Sequence, residues 1–391
     1  MSRTVLKIVL AAAVTLPALF VRLAHVHLPP LAESAVFGLA VVASAFLLAW
    51  GAETAQKDIS AALATALLAV IAVLPEYAVD LYFSYTSATV PEHAHFAAAN
   101  MTGSNRLLIG IGWPLVAVAF VIGARRRKAE PTLVLDESRR FELAFLAAAC
   151  VYAFIIPFKN SISLVDSVIL IALFATYMWR ASRHEHEEPE LHGVAGDLAE
   201  LPQTKRRLAV GALFLGAAGV ILASAEPFAT GLVASGKGLG LDEFLLVQWV
   251  APLASEAPEL IVAALFAFRG NADAGLGALL SSKINQWTLL VGSIPIARFA
   301  GGGGTSLPLD GRQHEEFFLT AAQALMAFAV VSDVKFRRWE AVALFLLFII
   351  QIPMPGEHMR MIFAWVYLGV AGVMLILHRR ELPKMVRALV S

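Results

Sequence analysis

Two glutamates stand directly after prolines inside long apolar runs, Glu76 in ALLAVIAVLPEYAVDLYF and Glu259 in VAPLASEAPELIVAALFAF. Proline has no N–H, so within a helix it leaves a carbonyl one turn earlier without its donor. A carboxylate beside such a carbonyl offers the oxygen ligands that hold cations, and in apolar surroundings an ionisable side chain marks a functional position. Each glutamate has a second acid on its helix face: Asp80 one turn after Glu76, and Glu256 three residues before Glu259. Each run is followed by a segment with a small polar cluster, ANMTGSNRLL in the first and GALLSSKINQW in the second. Each of those segments then meets another proline, Pro114 and Pro295. Both clusters carry a base, Arg106 and Lys283, which only donate hydrogen bonds and so cannot ligate a cation.

The elements that must position these residues are membrane helices. The chain has 391 residues, is 59% hydrophobic and 15% charged, and has a mean hydropathy of +0.72. Its apolar runs match the roughly 20 residues that cross a ~30 Å hydrocarbon core, and helices satisfy their own backbone hydrogen bonds there. The expected fold is all-α and integral to the membrane, with about twelve transmembrane helices near 4–22, 32–51, 59–87, 95–123, 140–157, 162–179, 208–235, 241–268, 272–297, 315–332, 340–355 and 361–377. The first run also has the look of a signal peptide, but it continues past any small-residue cleavage site and is read as a helix that stays. The one cysteine, Cys150, excludes an intrachain disulfide.

Charge distribution orients this map. With the N-terminus inside, 22 of the 30 lysines and arginines fall in inside segments, six fall outside, and Arg106 and Lys283 lie within spans. Both termini are therefore expected in the cytoplasm, and the membrane is read as a prokaryotic inner membrane. Five spans (32–180) precede a cytoplasmic linker (181–207) and five (208–355) follow it, with one extra helix in 1–31 and another, followed by a basic tail, in 356–391. Because five is odd, the second set lies inverted relative to the first. Two inverted five-helix repeats with broken helices meeting at the midplane are the architecture of secondary transporters. The linker's His184, Glu185, His186, Glu187 and Glu188 have metal-ligating side chains, but a solvated linker explains them more simply. Gly301–Gly304 reads as a flexible outside loop, since no strand precedes it as a phosphate cradle requires.

On these residues the chain resembles the cation/calcium exchanger superfamily, the sodium–calcium exchangers and their proton-coupled relatives. That family pairs a G-T-S-x-P-E element with a G-N-x-x-G-S-N element in each repeat. Leu74-Pro75-Glu76 and Asn100-Met101-Thr102-Gly103-Ser104-Asn105 correspond in the first repeat, and Ser255-Glu256-Ala257-Pro258-Glu259 and Gly277 to Lys283 in the second. The resemblance implies a central cation site drawing on Glu76, Glu259, Ser104 and Ser282; Asn100, Asn105, Gln286, Glu256 and Asp80 beside them are further candidate oxygen ligands. It departs from the pattern at Ala72 and Val73, at Leu108 and Gln286 where an Asn or Asp ligand is usual, and at Arg106 and Lys283. Either these two bases form structural pairs with Asp80 and Glu256, or one replaces a bound sodium, or the site no longer transports.

The function implied is secondary cation antiport of the sodium/calcium exchanger type, moving Ca2+ and/or Na+ and possibly H+ without a cofactor. Sodium/proton exchange is the alternative, because clustered carboxylates raise one another's pKa. A non-transporting ion sensor is a remote one. An enzyme is not expected: His314-Glu315-Glu316 lacks the second histidine of a HExxH zinc pair and reads as an outside loop. The expected partners are the lipid bilayer and small cations, with no nucleic acid, and the chain is read as a monomer or weak homodimer.

Overall fold

A computed structural model describes residues 3–58, 74–127, 133–182, 191, 193–354 and 356–390. Eight helices among these residues are long and apolar enough to cross a membrane: Thr4–Leu23, Pro30–Ala55, His93–Arg126, Arg139–Lys159, Leu164–Ala181, Gln203–Leu239, Glu243–Arg269 and Glu357–Leu377. The other expected spans hold helices that are shorter or more polar, namely Leu74–Thr86, the run from Ala272 to Ala300, Gly311–Val331 and Arg338–Gln351.

The chain forms two compact units, Met1–Phe83 with Ala175–Pro258, and Ser84–Phe174 with Glu259–Ser391. Each draws on both of the expected repeats. In the first unit, Pro30–Ala55 runs along Gln203–Leu239, and small residues let the two helices close. A Cβ on Gly38 would stand 2.9 Å from the Phe228 ring, and one on Gly231 would stand 2.9 Å from Ser34 Oγ. Ser34 and Ser235 hydroxyls are hydrogen-bonded at 3.2 Å. Leu47, Leu48, Ala78, Ala217, Ile221 and Ala225 form a core. Arg3–Leu23 packs beside Pro30–Ala55 but leaves Leu16 and Phe20 exposed, as lipid contact requires.

The linker differs from the solvated segment expected. Residues 193–199 form a short helix whose Val194, Ala195, Leu198 and Ala199 are buried. Asp58 accepts from Arg206 Nη2 at 2.6 Å and Nε at 2.7 Å, and Lys57 donates to the Ala199 carbonyl at 3.0 Å. The stretch GVAGDLA is apolar on one face, so it docks. His184, Glu185, His186, Glu187 and Glu188 lie outside the described residues.

In the second unit, Gly311–Val331 packs on Glu357–Leu377, His93–Leu107 and Arg139–Ala153. Two antiparallel ribbons, Ser161–Ser163 with Ser306–Pro308 and Leu133–Val134 with Lys335–Phe336, tie connecting segments together. The glycine run is not a flexible loop. Gly301, Gly302 and Gly303 donate to the carbonyls of Ala297, Phe299 and Arg298, and a Cβ at Gly301 would meet the Tyr85 carbonyl oxygen at 2.2 Å. Gly302 has φ +88°, which glycine adopts without strain.

Candidate functional site

Glu76 and Asp80 lie one turn apart on Leu74–Thr86, and both are buried in the first unit. Ala72 and Val73, and with them any break before Pro75, fall outside the described residues. Glu256 of the same unit is also buried. The expected break at Pro258 is absent: Glu243–Arg269 is one continuous helix containing both Pro252 and Pro258. A single proline removes only one backbone bond, and neighbouring turns carry the helix past it. Ser255 Oγ donates to the Ala251 and Pro252 carbonyls there, each at 3.2 Å.

The second unit gathers the polar clusters. Glu259 accepts a hydrogen bond from Ser282 Oγ at 3.3 Å, so two expected site residues meet. Asn100, Ser104, Asn105, Arg106, Ser282, Lys283 and Gln286 are all buried. The hydroxyls of Thr102 and Ser104 turn back onto their own helix, donating to Ala98 at 2.7 Å and Met101 at 3.2 Å. Asn105 donates from Nδ2 to the Met101 carbonyl at 2.9 Å. Its Oδ1 and backbone carbonyl accept from Lys283 Nζ at 2.7 and 2.6 Å. The ammonium also lies 5.6 Å from the centre of the Trp287 ring, where a cation is favoured.

Each cluster helix changes winding at the same place. Leu108–Gly112 and Gln286–Leu290 are π-helical turns that directly follow His93–Leu107 and Ala272–Asn285. Their first residues, Leu108 and Gln286, are the two positions where the resemblance calls for an Asn or Asp. One extra residue per turn re-aims the side chains of these positions, and such bulges are frequent at functional sites. At Gly110 the backbone comes so near Phe348 that a Cβ would stand 2.1 Å from its ring.

Arg106 pairs with Glu316, a residue expected at the outside edge of the 315–332 span. The helix begins earlier than expected because Asp310 caps it: Asp310 Oδ1 accepts from Gln313 N at 2.7 Å, and Gln313 Oε1 accepts from Asp310 N at 3.0 Å. The D-x-x-Q spacing and the polar stripe Glu316, Thr320, Gln323 at helical period were the signals that point to this. Among the described residues, no three His, Cys, Asp or Glu side chains are grouped to hold a metal.

Outside the spans, Arg206 donating to Asp58 holds that carboxyl below its usual range, and Arg140 does the same for Glu137.

Several apolar membrane helices with buried acids, amides and bases among them define a polytopic membrane protein with a polar interior. The model of the sodium/calcium exchanger protein family matches residues 31–182 and 209–354, and the chain belongs to that family. A crystal structure of the H+/Ca2+ exchanger CAX is 44% identical, with a TM-score of 0.93 over 99% of this chain and 98% of that one. Native YfkE shares the fold at 16% identity and TM-score 0.65, covering 92% of this chain and 99% of that one. The sodium–calcium exchanger NCX_Mj shares it at 20% and 0.55, covering 83% and 98%. Comparison with curated proteins gave no match.

Proposed function

We propose that this chain is a secondary antiporter that exchanges calcium for protons. The observation that carries the reading is its 44% identity, over nearly its whole length, to a chain described as an H+/Ca2+ exchanger. Glu76, Asp80, Glu256, Glu259, Asn100, Ser104, Asn105, Ser282 and Gln286 are the proposed cation-handling residues, and Arg106 and Lys283 tune their charge. The contacts of Lys283 favour protons over sodium as the counter-ion. Its ammonium occupies the Asn105 amide oxygen, where a sodium would otherwise find a ligand, and Leu108 offers no oxygen at all. Glu76 and Asp80 are buried one turn apart on one helix, two carboxyl groups placed to take up either a cation or protons. The proposal includes twelve spans in two inverted repeats with both termini in the cytoplasm of a prokaryotic cell.

The test is flux into proteoliposomes holding purified protein. Calcium uptake driven by a pH gradient and unaffected by replacing sodium with a large organic cation supports the reading. Uptake that follows a sodium gradient and ignores pH defeats it in favour of sodium-coupled exchange.

A further inference from the structure

Glu357–Leu377 lies beyond the stretch matched by the family model, which ends at residue 354, yet it reaches the polar clusters through buried charge. Arg106 pairs with one oxygen of Glu316, and the other oxygen of Glu316 lies 3.9 Å from Arg360 Nε. Arg360 donates to Glu315 from Nη2 at 2.6 Å and from Nε at 2.8 Å. The side chains of Arg106 and Glu316 are only 3% and 4% exposed. One face of Gly311–Val331 organises the chain of charges. Thr320 Oγ1 donates to the Glu316 carbonyl at 2.5 Å, and Gln323 Nε2 donates to the Arg106 carbonyl at 3.4 Å. Residue 106 is thus held at its side chain and at its backbone, one residue past the asparagine that binds Lys283.

We propose that Glu316 and Arg360 are positioning residues for the cation site: Glu316 holds the Arg106 guanidinium off the oxygens of the Asn100–Asn105 cluster, and Arg360 fixes Glu316. This rests on the reading of that cluster as part of the exchange site. Arg106 places a guanidinium, a rigid fork of donors, on the helix that carries the cluster. Released from Glu316, it competes with the transported cation for the same oxygens. At roughly 10 Å in partly screened protein interior, its repulsion alone weakens a divalent ion's binding on the order of tenfold. The four groups carry two charges of each sign, so the intact network adds no net charge beside the site.

Calcium-dependent proton movement in proteoliposomes, with calcium binding to the purified full chain measured in parallel by calorimetry, tests this. Glu316→Gln is expected to raise the half-saturating calcium concentration on the order of tenfold, with the effect on half-saturation rather than on maximal rate. Arg360→Gln moves it the same way, and Arg360→Lys recovers part of the loss. Adding Arg106→Gln to Glu316→Gln brings half-saturation back toward wild type, whereas a purely structural role would make the double variant worse. An unchanged value in Glu316→Gln, or a double variant no better than the single one, overturns the proposal. If Glu316→Gln does not fold, the two Arg360 variants decide, and equal effects of Gln and Lys overturn it. A wild type that binds calcium but moves no protons defeats only the proton-coupled reading, since the binding measurement still judges Glu316. A wild type that binds no calcium overturns both.

Discussion

Asn105 and Lys283 occupy corresponding places in the two repeats, 178 residues apart, and they bind each other through the lysine ammonium and the asparagine's two carbonyl oxygens. Ser104 and Ser282 stand one residue before them, and the π-helical turns beginning at Leu108 and Gln286 stand three residues after. Each cluster helix also packs against the other's π-helical turn, so the correspondence read in sequence is also a contact in space. Where a symmetric pair would present two amides to each other, this chain presents an amide and an ammonium. A positive charge is thereby built into the polar cluster and held by neutral oxygens, with an aromatic face beside it.

Replacing that charge should change which ions the protein uses. Lys283→Asn frees the Asn105 amide oxygen and supplies a second one, restoring a cation position. Flux assays against sodium, calcium and pH gradients should show transport that gains sodium dependence or becomes more electrogenic. A folded variant with the wild-type ion profile returns Lys283 to a structural role.

Glu76→Gln and Glu259→Gln should each abolish cation-driven flux while leaving the protein folded, because each removes a ligand charge from within a membrane span, buried at Glu76 and half-buried at Glu259. Ser282→Ala should be milder. It deletes one hydrogen bond to Glu259, worth about two- to tenfold in apparent cation affinity. Native transport rates in either glutamate variant mean that the proposed ligands are misassigned.

The Asp58–Arg206 pair makes a pH prediction. Arg206 lowers the Asp58 carboxyl below 3.8, so its contribution to holding the 193–207 segment is complete above that value and is lost only as pH falls through the still lower folded value. Protection from hydrogen exchange at residues 193–207, taken relative to each amide's intrinsic rate at that pH, should stay flat from neutral pH to about pH 5. Asp58→Asn should raise that exchange at neutral pH, where the wild type is protected. Equal protection in both proteins would show that the apolar face alone docks the segment.

Membrane sidedness is tested with single cysteines. Cys150 is buried, so the native background is low. Cysteine at Ser182 should react with an impermeant thiol reagent only from the cytoplasmic side, and cysteine at Gly304 only from the opposite side. Gly304 suits the label because a side chain there meets nothing within 4 Å, whereas Gly302 has a left-handed backbone. Labelling of both positions from one face refutes the proposed alternation.

Gly110→Ala should destabilise the protein by about 1–3 kcal/mol, because the new methyl group collides with Phe348 beside a π-helical turn. Thermal unfolding in detergent measures this, and trimming Phe348 to Leu in the same protein should recover part of the loss.

The amino-acid sequence by itself determined that this is a helical membrane protein, because runs of twenty apolar residues have no other economical solution in lipid or water. It also determined which residues recur, since the Pro-Glu pairs and the polar clusters are local patterns that survive in the chain order. It did not determine how those patterns are used in space. The helix through Pro258 stays continuous because one lost backbone bond is small beside the bonds on either side. Lys283 meets an asparagine, Arg106 meets Glu316, and the linker helix docks by its buried alanines and leucine. A buried charge takes its partner from whichever helix packs against it, and 210 residues separate Arg106 from Glu316. Pairings over such distances are decided by tertiary packing, which local spacing cannot encode.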